Sequence, residues 1–195
     1  MKLELKIINL LARNKEKRFT INAIAKALKG HYSLVHRIVS RLTKEGVIEK
    51  TKVGNSYICS INKDNDKTHA LLQLSEIERR NEFYSADKEL KLILEDLVKS
   101  FSQEGNALSI ILFGSYAKGT ATKESDIDIL LLSNKNKKTE KTAKEIYAKY
   151  GKEVNIVTMS PSKAKKQKED IIMKEIKASH IILHGIEKFV DVILR

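Results

Sequence analysis

The chain has 195 residues, with 37 Lys and Arg against 25 Asp and Glu, a net charge of +12 and a single cysteine, which excludes an intramolecular disulfide. No apolar run approaches the length of a membrane span or signal peptide, so the expectation is a cytoplasmic protein with no membrane partner. The charge is uneven: residues 1–65 hold 14 basic against 5 acidic side chains and the remainder 23 against 20, which predicts two small domains, the first facing a polyanion such as nucleic acid.

The elements begin with a helix over residues 2–12, where Leu3, Ile7, Leu10 and Leu11 recur at helical spacing. Thr20 is placed to cap a second helix with the stripe Ile21, Ile24, Ala25 and Leu28, stopped by Gly30. Ser33 is expected to cap a third over residues 34–45, with Leu34, Val35, Ile38, Val39 and Leu42 inward and His36, Arg37, Ser40, Arg41 and Lys44 outward. Two strand-like runs, 47–53 and 56–61, are divided by Gly54-Asn55, the mark of a hairpin. Cys59 lies in the second run with no CxxC partner and reads as a small buried apolar residue.

Three helices and a hairpin resemble a winged helix-turn-helix, a likeness of pattern. It implies that the third helix enters the major groove of double-stranded DNA while the wing touches phosphates. The candidate DNA-binding residues are Ser33, His36, Arg37, Ser40, Arg41, Lys44, Lys50 and Lys52. A helical module packing on a protein partner, its lysines serving solubility, is the competing reading. The recurrence of Arg37, Arg41 and Lys44 on the helix that the topology would present favours DNA.

The polar stretch 62–67 is the expected boundary, giving domains at 1–65 and 86–195 joined by a helical linker, 66–85. Leu71, Leu74 and Ile77 suggest a linker helix broken near residues 81–85, and Leu90, Ile93, Leu94, Leu97, Val98 and Phe101 give a strongly periodic helix after it. Leu108 to Phe113 is a short buried strand ending at Gly114-Ser115. Gly114 permits a sharp turn, and Ser115 is suited to cap a short helix whose free N–H groups could cradle phosphate. Asp126 and Asp128 stand two apart at the head of the strand Ile129 to Leu132, so the strand period points both carboxylates to one face. Two such charges against a core element call for a cation, and hard oxygen ligands suit Mg2+. A helix at 139–150, a strand at 154–158, a long lysine-rich helix after Ser160-Pro161, a strand at 181–183 and a final amphipathic element complete an α/β pattern. The lysine-rich runs 135–144 and 163–168 read as solvated faces. His180 and His184 are four apart, but the strand-like residues between them argue against zinc.

The stretch Gly114 to Asp128, with its Gly-Ser turn and Asp-Ile-Asp, is similar to the signature of the DNA polymerase β-like nucleotidyltransferase superfamily, nearest to its minimal archaeal and bacterial branch. The resemblance implies an α/β (α+β) domain with a mixed sheet flanked by helices. It also implies dependence on Mg2+ or Mn2+, and transfer of a nucleoside monophosphate from a nucleoside triphosphate (NTP) to an acceptor. It assigns nucleotide binding to Gly114, Ser115, Lys118 and Ser125, and metal binding and catalysis to Asp126 and Asp128. The family commonly carries a third carboxylate on a later strand, where Val154-Asn155-Ile156-Val157 here offers an amide. Three readings stand open. Glu153 substitutes as a catalytic carboxylate, or two aspartates suffice with Asn155 as a neutral ligand, or turnover is lost and nucleotide binding is retained.

Two functional classes follow. One is a nucleotidyltransferase localised or regulated by DNA binding. The other is a DNA-binding regulator, or an antitoxin, whose nucleotidyltransferase-like domain holds nucleotide without turnover. Where nucleotide is transferred, a protein such as a cognate toxin is a candidate acceptor, and paired half-sites would call for a homodimer, although no heptad seam supports one.

Overall fold

Helices form at the amino terminus where the apolar spacing places them. The computed structural model describes residues 1–14, 17–103, 107–134, 139–166 and 170–194. In it α1 spans Leu3–Arg13, α2 Ile21–Ala27 and α3 Tyr32–Lys44. Thr20 caps α2, its Oγ1 accepting from the Ala23 N–H at 3.1 Å. The cap expected of Ser33 is not there: α3 starts earlier, His31 stands at the N-cap without a side-chain bond, and Ser33 lies exposed in the first turn. Val35, Val39 and Leu42 are fully buried, alongside Leu5, Ile7 and Ile8 of α1 and Ile24 of α2.

The hairpin pairs β1 (Ile48–Val53) with β2 (Ser56–Ile61) from Ile48↔Ile61 to Val53↔Ser56. Gly54 takes φ 59° at the first loop position, as a two-residue II′ turn requires. The Cys59 N–H donates to the Phe19 carbonyl at 2.8 Å, adding a rung from the residue that precedes the α2 cap. Cys59 is buried, and burial pushes its thiol up, away from reactivity. Together α1, α2, α3 and the hairpin have the element order expected of a winged helix-turn-helix.

The polar stretch after the wing is tightly held. Asn62 Nδ2 donates to the Gly46 carbonyl at 2.9 Å and Asn65 Nδ2 to that of Glu45 at 3.2 Å. Asn65 Oδ1 accepts from the Lys67 and Thr68 N–H groups at 2.9 and 3.3 Å, starting α4 (Asp66–Ala86). The break expected near residues 81–85 is absent, because no Gly or Pro interrupts residues 66–86 and the Ser85 hydroxyl bonds back to the Glu82 carbonyl at 2.8 Å. Its buried face is also not the predicted one. Leu74 and Ile77 are exposed, whereas Thr68, Leu72, Ser75 and Glu76 are buried. Asn9 Nδ2 donates to Glu76 Oε1 at 3.0 Å, and Arg13 Nη2 to the same oxygen at 3.2 Å. The chain divides into two compact units, Met1–Glu78 and Arg79–Ile193, with the boundary inside α4.

In the second unit α5 (Lys88–Gln103) is capped by Asp87, whose Oδ1 accepts from the Leu90 N–H at 2.9 Å. There follow β3 (Ser109–Phe113), α6 (Gly114–Lys118), β4 (Ile127–Leu132), α7 (Thr139–Tyr150) and β5 (Val154–Met159). The unit is completed by α8 (Pro161–Lys166), α9 (Ile171–Ala178), β6 (Ile181–His184), α10 (Ile186–Phe189) and a π-helical turn, Val190–Leu194. The sheet order is β5-β4-β3-β6, with β4 parallel to β5 and both neighbours of β3 antiparallel to it, a mixed sheet. Leu90, Ile93, Leu94, Leu97 and Phe101 of α5 share a core with Ile110, Leu112, Ile127, Ile129 and Leu131.

The long helix expected after Pro161 is two helices, and the second has its own cap, Asp170 Oδ1 accepting from the Ile172 N–H at 2.9 Å. Residues 135–138 and 167–168 of the lysine-rich runs lie outside the described residues. His180 is fully buried, its ring 4.7 Å from that of Phe189. Among the described residues no helix is long and apolar enough to cross a membrane.

Candidate active site

The end of β3 is shaped by an acid on the next strand. Phe113 is opposite Asp128 in the β3–β4 register, and Gly114 follows at φ 69°. A Cβ on Gly114 would fall 2.0 Å from Asp128 Oδ2, so only glycine leaves that carboxylate its place. The cap expected of Ser115 is not made. Phe113 is the N-cap of α6 and Ser115 lies within the helix, its carbonyl accepting from the Thr120 N–H at 3.0 Å. Gly119, left-handed at φ 73°, ends α6. First-turn amides of a helix have no intrahelical acceptor, and α6 begins at Gly114, the residue against Asp128.

Strand parity separates the acids from the core. Ile127, Ile129 and Leu131 of β4 belong to the cluster around α5, which turns Asp128 to the opposite face, and Asp126, one residue before the strand, shares its parity. Both are half-buried. The parallel register sets Asn155 of β5 beside Asp128, where its Nδ2 donates to Asp126 Oδ2 at 3.2 Å and to Asp128 Oδ1 at 3.4 Å. Burial raises the Asp128 carboxyl above the usual range; the Asn155 amide opposes this, the charges of Glu175 and Asp126 add to it, and Lys118 opposes it. Glu153 is exposed and lies just before β5, its carbonyl accepting from the Ile127 N–H at 2.9 Å. Among the described residues no three His, Cys, Asp or Glu side chains are grouped to hold a metal ion, so the acidic centre is a pair completed by an amide. Two carboxylates bridged by one donor mark a point where oxygens converge, and such a hard donor set fits Mg2+ or Mn2+.

Around this centre, Lys118 Nζ pairs with Glu175 Oε1 at 2.5 Å. Ser125 Oγ accepts from the Thr122 N–H at 2.9 Å and so closes the loop that leads into Asp126. Lys152 Nζ donates to the Lys123 carbonyl at 2.6 Å. A cleft of about 890 Å3 opens beside α6, lined by Phe83, Leu90, Tyr116, Lys118, Lys123 and Lys152 among others. Glu175 escaped the sequence reading, because nothing in the spacing of α9 distinguishes it from a solvated helix face.

In the first unit Ser33, His36, Arg37, Arg41, Lys44 and Lys52 are exposed, and Ser40 and Lys50 half-buried. Arg41 is already engaged, its guanidinium 2.9 Å from Glu4 Oε1 and 3.3 Å from Glu45 Oε1. An open cleft of about 590 Å3 is lined by residues that include Thr20, Asn22, Tyr32, His36, Lys50 and Tyr57.

Residues 94–179, from α5 through α9 and including the Gly-Ser turn and both aspartates, match the family model described as a nucleotidyltransferase domain. This segment is similar to nucleotidyltransferase domains. Two curated relatives from Methanocaldococcus jannaschii agree with it. "Putative protein adenylyltransferase MJ1305" is 43% identical over 49 residues, 24% of this chain and 33% of the relative. "Putative protein adenylyltransferase MJ1379" is 46% identical over 48 residues, 25% of this chain and 48% of the relative. The match thus spans about a third and about half of the length of these relatives. Among solved structures, a cysteine-to-serine mutant of Lactococcus lactis ZitR aligns at a TM-score of 0.32 and 17% identity, over 52% of this chain and 73% of that one, below the level of a shared fold. The matched segment takes its strands from one mixed sheet and its acids from the face turned away from α5.

Proposed function

We propose that the nucleotidyltransferase domain transfers a nucleoside monophosphate from an NTP to an acceptor hydroxyl with the help of Mg2+ or Mn2+, and that the winged helix-turn-helix binds double-stranded DNA. The observation that carries the first part is the convergence of Asp126, Asp128 and Asn155 on one face, directly against Gly114. On this reading Asp126 and Asp128 hold the cation, with the Asn155 amide turned to offer its oxygen as a neutral ligand. The bound cation supplies Lewis-acid charge that neutralises the phosphates. The amides of Gly114 and Ser115 and the ammonium of Lys118 hold the triphosphate, and Ser125 keeps the loop before Asp126 in shape. The acceptor oxygen bonds to the α-phosphorus and gives its proton to solvent as the bond to the bridging oxygen breaks and pyrophosphate leaves. Of the readings for the third carboxylate, two aspartates with Asn155 accord best with an exposed Glu153 outside the strand.

The names of the two relatives extend the proposal to ATP as donor and a protein as acceptor, a toxin partner among the candidates. A second reading, a DNA-binding regulator or antitoxin that holds nucleotide without turnover, draws on the amide at position 155, which adds no negative charge to the centre. Incubation of the protein with each α-labelled NTP and Mg2+, with and without cell extract, separates the two. Transfer of label that disappears in the Asp126→Asn, Asp128→Asn double variant is expected; Mg2+-dependent binding without transfer supports the regulator, and transfer that survives the double variant removes these residues from the mechanism.

A further inference from the structure

Lys118 is offered to phosphate in the reading above, yet in the structure it is held by an acid. Glu175 Oε1 lies 2.5 Å from Lys118 Nζ, and the two side chains are 32% and 44% exposed, at the surface of the site and not in its core. The pair is not an accident of two mobile arms, because the helix that carries Glu175 is fastened to the helix that carries Lys118. Ser179 Oγ donates to the Ala117 carbonyl at 2.8 Å, and the Ser179 N–H donates to the Glu175 carbonyl at 2.9 Å, so one serine ties the end of α9 to the residue before Lys118. Met173 and Ile176, on either side of Glu175, are fully buried and seat α9. Both partners of the pair also act on Asp128, Glu175 by repulsion and Lys118 by attraction.

Two carboxylates, Asp128 and Glu175, therefore draw on one ammonium, and the one that holds it is not one of the pair expected to hold a cation. We propose that Glu175 is a positioning residue of the nucleotide site: it keeps the Lys118 ammonium beside Asp128 before nucleotide arrives and yields it to the polyphosphate of an incoming NTP. The exchange sets a threshold. A ligand must carry enough negative charge to win Lys118 from a carboxylate, which favours a triphosphate over weaker anions and makes apparent affinity lower than the site would have without Glu175. No bond is made or broken in the exchange. The inference rests on the reading of Lys118 as a phosphate ligand, and the test keeps the two apart.

The test measures binding of inorganic tripolyphosphate with Mg2+ by calorimetry, which needs no knowledge of the base, in the full chain and in Glu175→Gln, Lys118→Met and the double variant. Both positions are partly exposed, and circular dichroism checks that each variant keeps the fold. Glu175→Gln is expected to bind about two- to five-fold tighter, the range of an exposed ion pair. Lys118→Met is expected to bind about ten-fold weaker, as for one charged hydrogen bond, and in the double variant the gain from Glu175→Gln should vanish. If Lys118→Met weakens binding but Glu175→Gln leaves it unchanged or weakens it, the exchange is wrong while Lys118 remains a phosphate ligand. If Lys118→Met binds like the parent chain, the reading of Lys118 fails and the exchange fails with it.

Discussion

Asp128 concentrates the conflict on which the site is built. Its carboxylate fills the space a side chain would need at Gly114, accepts from Asn155, and is raised first by burial and then by its acidic neighbours. A carboxyl whose folded pKa lies above its unfolded value contributes stability below the unfolded value, and loses it as the pH rises through the folded one. At neutral pH the ionised group therefore costs stability, the usual bargain of a functional site. Asp128→Asn is expected to stabilise the fold at pH 7 in metal-free buffer by up to about 1 kcal/mol, read as a higher Tm, the gain being small because the group is half-exposed and screened. The gain should shrink when the pH falls to the carboxylate range. A variant that melts below the parent at pH 7 would contradict this account.

At the scale of elements, α4 shows how far a helix can depart from its apolar stripe. Its buried face is polar because α1 meets it with Asn9 and Arg13, and Glu76 satisfies both. Burial pulls the Arg13 guanidinium down and pushes the Glu76 carboxyl up, each partly countered by the other's charge. Removing one partner leaves a buried charge unanswered, so Glu76→Leu is expected to destabilise the first unit by about 3–5 kcal/mol. Arg13→Met combined with Glu76→Leu should recover most of the loss. Urea unfolding followed by circular dichroism measures both, and equal losses in the single and double variants would refute the pair as the cause. The wing follows local rules: two strand-like runs, a two-residue turn and Gly54 in the left-handed region predict it as it stands.

On the scale of the whole molecule, basic excess and acidic centre belong to different compact units. The proposed activities should then separate. Arg37→Ala is expected to weaken DNA binding and to flatten the dependence of log K on log salt by about 0.9, one phosphate contact. Arg41→Ala should change the slope less, since Glu4 and Glu45 already compete for that guanidinium. Fluorescence anisotropy across a salt series reads both slopes. The Asp126→Asn, Asp128→Asn variant should bind DNA as the parent does. A salt slope unmoved by Arg37→Ala would remove α3 from the interface.

Much of the architecture was legible in one dimension because its causes are local. Apolar period placed α1 to α3, the hairpin and α5. Strand parity put Asp126 and Asp128 on one face, and Gly-Ser after a buried strand marked the turn beside them. What lay beyond the sequence depends on partners far away along the chain. Asn65 holds α4 to the α3–β1 turn, Asn9 and Arg13 decide which face of α4 is buried, and Ser179 brings Glu175 to Lys118. Each is a polar contact across many residues, and polar side chains carry no periodicity that would reveal it. The sequence by itself determined most of the elements, the uneven charge and the residues with chemistry to offer. Only tertiary structure decided that Asn155 closes the acidic pair, that Asp128 makes Gly114 necessary and that Lys118 already has a carboxylate partner, because such pairings arise only when strands and helices meet in space.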